Sequence, residues 1–280
     1  MKARVLPTGE TVSALGLGTW RMGERRENRV QEMAAIRLAL DLGMTVIDTA
    51  EMYADGGAEE LVGHALSDGT SLRDRAFLVS KVYPQNASRA GVVAACERSL
   101  RRLRTDRIEL YLLHWRGQYP LAETVAGFEA LRRAGKIRYW GVSNLDLSDM
   151  QELWGVPQGS GAVVNQVLYN LGRRGVEWDL LPWLQKHQVL TMAYSPLDQA
   201  RLMTHEGLGK MAQEKGMTSS QLALAWLLRQ AGVIAIPKSA RPERLREFAK
   251  AAEFALSAQD LGQLDRLFSP PERAVPLEML

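Results

Sequence analysis

Eight short runs of aliphatic and β-branched residues alternate with eight stretches of helical spacing along this chain, and that alternation restricts its fold more than any other feature. The runs are Leu15 to Leu17, Thr45 to Ile47, Phe77 to Val79, Leu110 to Leu113, Ile137 to Val142, Val163 to Val164, Leu190 to Ala193 and Val233 to Ile236. The helical stretches are Asn28 to Leu42, Ala58 to Leu66, Arg89 to Leu103, Leu121 to Ala134, Leu147 to Trp154, Asp179 to His187, Ser219 to Gln230 and Pro242 to Ala252. Nearly continuous apolar strands suit a parallel sheet covered by helices on its faces. Eight such βα units in 280 residues are what closes a (β/α)8, or TIM, barrel. A doubly wound open sheet is the alternative. Against it, Gly16-Leu17-Gly18-Thr19-Trp20-Arg21 follows the first run but lacks the third glycine of the dinucleotide fingerprint, and no second half is visible.

Ahead of the first barrel strand, Val5 to Val12 reads as a β-hairpin with Gly9 in its turn, placed to plug the barrel's N-terminal end. Extra helices are expected over Ala258 to Leu267 and near Gly207 to Lys215. With no linker, low-complexity segment or repeat, residues 1–280 are expected to form a single domain.

A formal charge of +3, with 24% charged residues, leaves acid and base nearly balanced, so nucleic-acid and membrane-surface partners gain no electrostatic support. The arginine-rich stretch Arg98, Arg101, Arg102, Arg104 and Arg107 is interleaved with Glu97, Asp106 and Glu109, which favours a solvated helix end over a binding patch. The single cysteine, Cys96, falls among apolar helical positions and reads as a packed thiol in a reducing compartment. No uncharged apolar run approaches the roughly 18 residues that span a bilayer, so a soluble, cytoplasmic, monomeric protein is expected.

In a (β/α)8 barrel the chemistry lies at the C-terminal strand ends. The apolar runs end in Gly18-Thr19-Trp20, Asp48, Ser80-Lys81, His114, Ser143-Asn144, Asn165-Gln166, Tyr194-Ser195 and Lys238-Ser239. Asp48 would be costly to bury unpaired, and Lys81, one strand along, is its natural partner. Tyr53 is a candidate acid whose pKa an adjacent Lys81 ammonium would lower. His114 can hydrogen-bond a carbonyl oxygen through its neutral ring. Lys81 would repel a divalent ion, and no close His pair stands at ligand spacing, so no metal is expected.

From about residue 15 to residue 247 these features resemble the aldo-keto reductase superfamily. Gly43-Met44-Thr45-Val46-Ile47-Asp48-Thr49-Ala50 followed by Tyr53 is similar to its first signature, continued by Glu59-Glu60-Leu61-Val62-Gly63 after the extra Asp55-Gly56-Gly57. Val79-Ser80-Lys81-Val82, Leu113-His114-Trp115, Gly141-Val142-Ser143-Asn144 and Ile236-Pro237-Lys238-Ser239 resemble its later blocks, in order. The resemblance implies NADPH-dependent carbonyl reduction with Tyr53 as general acid, Lys81 lowering its pKa, Asp48 holding Lys81 and His114 orienting the carbonyl.

By the same resemblance Gly18, Thr19 and Trp20 contribute to the cofactor site. Ser143, Asn144 and Gln166 hold the nicotinamide carboxamide, Tyr194 stacks on its ring, and Ser195, Leu197 and Gln199 begin a loop over the pyrophosphate. Lys238, Ser239 and Arg244 match the adenosine 2′-phosphate site, which favours NADPH over NADH. Two departures bear on that preference: Phe248 stands where many members carry an asparagine toward the adenine, and Arg241 replaces a commonly small residue.

Trp20, Met52, Tyr83 and Trp115 are the expected pocket walls. The short segment after Trp115 and the short tail from Pro270 imply an open pocket without a long lid. Arg116, where many relatives have proline, is placed to attract an anionic substrate. Asp48 to Glu60, Gly141 to Asp146, Asp149 to Trp154 and Asn165 to Asn170 resemble a bacterial branch associated with methylglyoxal and other small 2-oxoaldehydes, which implies aldehyde detoxification. Other readings are a reductase of bulkier ketones or sugars, an NADPH-binding regulatory subunit with little turnover, and a phosphate-binding barrel isomerase.

Overall fold

The computed structural model describes residues 1–67 and 71–280. Two strands, β1 (Ala3–Val5) and β2 (Thr11–Ser13), pair antiparallel. Eight more form one parallel sheet in chain order: β3 (Gly16–Gly18), β4 (Val46–Asp48), β5 (Phe77–Val82), β6 (Ile108–Leu113), β7 (Ile137–Ser143), β8 (Val164–Leu168), β9 (Leu190–Tyr194) and β10 (Val233–Ala235). The sheet closes because Leu15 bridges Ala235 in parallel, the Ala235 N–H donates to the Ala14 carbonyl at 2.9 Å, and the Gly18 N–H donates to the Pro237 carbonyl at 3.0 Å. The expected (β/α)8 barrel is therefore present.

All eight expected helices follow their strands, and the two extra ones lie at Glu206–Glu214 and Ala258–Leu267. Sequence marks several helix starts directly. Ser88 accepts from the Gly91 N–H at 3.1 Å, while Thr218 with Gln221 and Ser257 with Asp260 form reciprocal capping boxes. A four-residue helix at Leu72–Arg75 and several 3-10 turns, among them Tyr53–Gly56, were not foreseen.

Strand side chains alternate between two cores. Leu17, Ile47, Leu78, Tyr111, Val142, Val167 and Ala193 face the helices. Val46, Phe77, Val79, Leu110, Leu112, Val164, Leu190, Met192, Ile234 and Ile236 fill the barrel. Leu6 and Val12 of the hairpin join that interior cluster, and its Glu10 accepts from Tyr139 at 2.7 Å and pairs with Arg138, so the hairpin is the expected plug. The inward register continues at the C-terminal end through Asp48, Lys81, His114, Ser143, Gln166 and Tyr194, two residues beyond the last apolar layer.

Three arginines of the arginine-rich stretch are held in ion pairs, Arg98 with Glu51 at 3.4 Å, Arg102 with Glu59 at 2.6 Å and Arg107 with Glu109 at 3.2 Å. Cys96 is buried, and burial pushes its thiol up to about 12. Among the described residues no helix is long and apolar enough to cross a membrane.

Close strand packing sets one stringent position. A Cβ at Gly141 in β7 would lie 2.4 Å from the Val164 carbonyl oxygen of β8. Gly141→Ala is expected to destabilise the protein by about 1–3 kcal/mol through overpacking. Urea denaturation measures it, and an unchanged midpoint would mean that β7 and β8 separate freely there.

Candidate active site

Asp48 ends β4, Lys81 lies near the end of β5, His114 follows β6, and Tyr53 opens the 3-10 turn after β4. Left-handed conformations at Ala54 (φ 51°) and Asp55 (φ 49°) turn the chain from Tyr53 into the helix Gly57–Leu66. Lys81 is wholly buried, at 0% exposure, and would be prohibitively placed without partners. Its ammonium has three: Asp48 Oδ2 at 2.9 Å, the Thr49 carbonyl at 2.7 Å and the Tyr53 hydroxyl at 3.3 Å. Those acceptors match its three N–H donors. The structure thus brings Asp48, Tyr53 and Lys81 into one chain. The Thr49 carbonyl was invisible in the sequence, because a main-chain oxygen carries no residue-type signal.

The electrostatics of the three groups differ from the expectation in one respect. Burial would drive the Lys81 ammonium toward its neutral form, but Asp48 and Tyr53 together outweigh it and its pKa is raised. The Tyr53 phenol was expected to be acidified. Burial instead raises it, and although Lys81 pulls it down, Asp48 adds to the upward push and the net direction is up. The phenol in this state therefore keeps its proton at neutral pH. Burial and the neighbouring Lys81 charge depress His114 to about 2, so its ring is neutral.

His114 sits edge-on to Tyr53, with ring centroids 5.8 Å apart, and its Nδ1 has no hydrogen-bond partner among the described residues. Trp115 lies 4.8 Å from the His114 ring and meets Tyr83 edge-on at 5.8 Å. Those aromatics make one wall. Trp20 and Met52 are exposed, and Arg21 covers the Trp20 ring at 4.4 Å.

A second polar arc adjoins the first. The Ser143 hydroxyl donates to the Gln166 carbonyl at 2.8 Å, and the Asn144 N–H donates to that same oxygen at 2.9 Å. The Asn144 side-chain amide donates to the His114 carbonyl at 3.2 Å and accepts from the Tyr194 hydroxyl at 3.0 Å. Gln166 Nε2 donates to Asp48 Oδ1 at 2.8 Å, which joins the arc to Lys81 and Tyr53. Sequence placed Gln166 in the site but gave no sign of this link, which depends on β4 and β8 facing one another across the barrel. Tyr194 is half-buried, and burial pushes its phenol up to about 12.

Farther along, Leu197 packs on the outer core, Gln199 is exposed, and the Ser195 carbonyl accepts from Asn170 at 2.9 Å. Lys238, Arg241 and Arg244 are exposed near the start of the helix Pro242–Ala251, and Arg244 contacts Glu247 at 2.9 Å. Ser239 accepts from the Arg241 N–H at 3.1 Å.

These donor sets fit a dinucleotide cofactor. With its Nε2 on Asp48, Gln166 keeps its side-chain oxygen for a carboxamide donor, and the half-buried Tyr194 adjoins it through Asn144. The exposed cations by a helix start suit a phosphate dianion. Among the described residues no group of three His, Cys, Asp or Glu is arranged to hold a metal ion.

These placements bear on four expectations. Gly18 and Thr19 are buried, and the Thr19 N–H and hydroxyl both donate to the Asp48 carbonyl at 2.9 Å, so they brace the end of β4. Arg116 is tied to Asp149 at 2.8 Å and Glu152 at 2.7 Å, which neutralises the charge meant to attract an anion. Phe248 packs in the core. The short tail also reaches the site: Leu277 packs on the core, Glu278 pairs with Arg173 at 2.6 Å, and the Leu280 backbone lies against the Tyr194 hydroxyl.

Residues 14–268 match the family model described as Aldo/keto reductase family. The chain is 50% identical over 275 residues to methylglyoxal reductase of Escherichia coli (strain K12), covering 96% of each. It is 32% identical over 271 residues to glyoxal reductase of Bacillus subtilis (strain 168), covering 97% of this chain and 94% of that one. The crystal structure of an aldo-keto reductase from Klebsiella pneumoniae in complex with NADPH superposes with a TM-score of 0.96 at 53% identity, covering 100% of both chains.

The depressed His114 gives a stability prediction. The unfolded ring takes up a proton near pH 6.5, whereas the folded ring refuses it until about 2. Its contribution is therefore complete above about pH 6.5 and falls as pH drops toward the folded value. From about pH 7 to about pH 5 the wild type should lose about 2 kcal/mol more than His114→Gln. Urea midpoints at the two pH values test this, and equal losses would mean the ring is protonated in the native state.

Proposed function

This chain belongs to the aldo/keto reductase family, and from that premise we propose that it reduces aldehydes and small 2-oxoaldehydes such as methylglyoxal to alcohols with NADPH. The observation that carries the reading is the buried Lys81 ammonium held between Asp48 and the Tyr53 hydroxyl. The relatives named for methylglyoxal and glyoxal support the substrate class, and the NADPH-bound relative supports the cofactor.

When bound, the reduced nicotinamide supplies the hydride for the carbonyl carbon. The chain supplies the proton and the geometry. Tyr53 keeps its proton until an oxygen more basic than a phenolate develops beside it, then gives it up. Lys81, 3.3 Å away, stabilises the phenolate left behind, while Asp48 and the Thr49 carbonyl prevent the ammonium from moving. Neutral His114, edge-on to Tyr53, is placed to orient the carbonyl oxygen without competing as an acid. Tyr83 and Trp115 give the substrate an apolar wall.

Ser143, Asn144 and Gln166 would hold the carboxamide, with Tyr194 against the ring. Ser195, Leu197 and Gln199 would border the pyrophosphate, with Lys238, Ser239 and Arg244 at the 2′-phosphate. We take the chain to act as one domain and as a monomer, since every group named comes from one barrel. The buried single thiol fits a reducing cytoplasm.

Loss of reduced-nicotinamide absorbance with methylglyoxal tests the reading directly; tight NADPH binding without oxidation of it by any small aldehyde would favour a regulatory role. Tyr53→Phe should retain NADPH binding and lose at least about 100-fold in kcat. Near-wild-type turnover would remove Tyr53 as the donor. Lys238→Ala combined with Arg244→Ala should weaken NADPH far more than NADH, as read by fluorescence titration; equal losses would show that these cations do not read the 2′-phosphate.

A further inference from the structure

Gln166 is only 2% exposed and faces the barrel interior from β8. Its amide donates to Asp48 Oδ1 at 2.8 Å and touches Met192 Sδ at 2.9 Å. The other Asp48 oxygen accepts from Lys81 at 2.9 Å. The carboxylate is thus pinned through both oxygens and cannot rotate without losing a buried hydrogen bond.

The consequence passes down the chain. Lys81 meets Tyr53 at 3.3 Å, the longest of its three contacts and the one most easily lost if Asp48 turned and the ammonium followed. The Gln166 N–H also draws on the Asp48 negative charge, which otherwise opposes ionisation of the phenol. Through its main-chain oxygen the same residue holds Ser143 and Asn144. We propose that Gln166 is a positioning residue of the proton-donating chain, fixing Asp48 and through it the Lys81–Tyr53 contact, whatever it also offers a cofactor. This rests on the reading of Tyr53 as the proton donor.

Two near-isosteric substitutions test it. Gln166→Met removes the donor at nearly constant shape. In the apoprotein the Tyr53 phenol, followed by NMR of ring-labelled tyrosine and assigned by its absence in Tyr53→Phe, should titrate roughly one pH unit higher than in wild type. kcat should fall about tenfold. Gln166→Glu can donate to Asp48 only while its new carboxyl is protonated, so its kcat should approach wild type at acid pH and fall as pH rises.

An unmoved Tyr53 titration in Gln166→Met, with losses confined to KM for NADPH, would overturn the proposal and leave Gln166 a cofactor contact alone. If that variant does not fold, a Gln166→Glu profile parallel to wild type overturns it equally. Because the titration is read without cofactor, it is independent of turnover in Tyr53→Phe, which tests the proton-donor reading itself.

Discussion

A wholly buried ammonium governs the architecture of this site. Taking Lys81 out of water costs several kcal/mol unless its donors are met, and leaving it with a partner missing costs more than the pair ever returned. The three acceptors come from three places: the end of β4, the main chain just after it, and the 3-10 turn that carries Tyr53. They converge only if the neighbouring strands hold their register and the turn takes its left-handed course at Ala54 and Asp55. Folding the barrel and assembling the proton donor are therefore one constraint.

The alternation of strand side chains explains why the polar groups meet at all. Each inward series starts apolar near the plugged end and turns polar at the other, as Val46 precedes Asp48, Val79 precedes Lys81, Leu112 precedes His114 and Met192 precedes Tyr194. A one-residue slip in any strand would send its polar end into the helix-covered core. The apolar layer below keeps water from the base of the site, which is why burial dominates the acidity of Tyr53 and His114.

The same alternation decides what could be read in advance. Strand ends, helical stretches and the hairpin plug were legible because they depend on residue type at fixed spacing. Asp48, Lys81 and His114 were legible for the same reason. The Gln166–Asp48 bond was not, since it joins opposite sides of the barrel, and neither was the Thr49 carbonyl. Arg116 misled because sequence shows a charge but not the Asp149 and Glu152 that cancel it. The direction of the Tyr53 shift was missed because proximity to an ammonium was weighed without the cost of burial.

That upward shift suits a donor better than the acidification expected. A phenol acidified far enough to ionise at neutral pH would have no proton to give. Here Asp48 cancels much of the Lys81 charge, and His114 carries none, so the resting site holds one transferable proton in a nearly neutral surrounding. Lys81 gains its strongest attraction to Tyr53 only once the phenolate exists, so the stabilisation falls on the product of proton transfer and spares the resting state. The interaction that makes the barrel mouth foldable is thus the one that grows as the reaction proceeds, as differential binding requires.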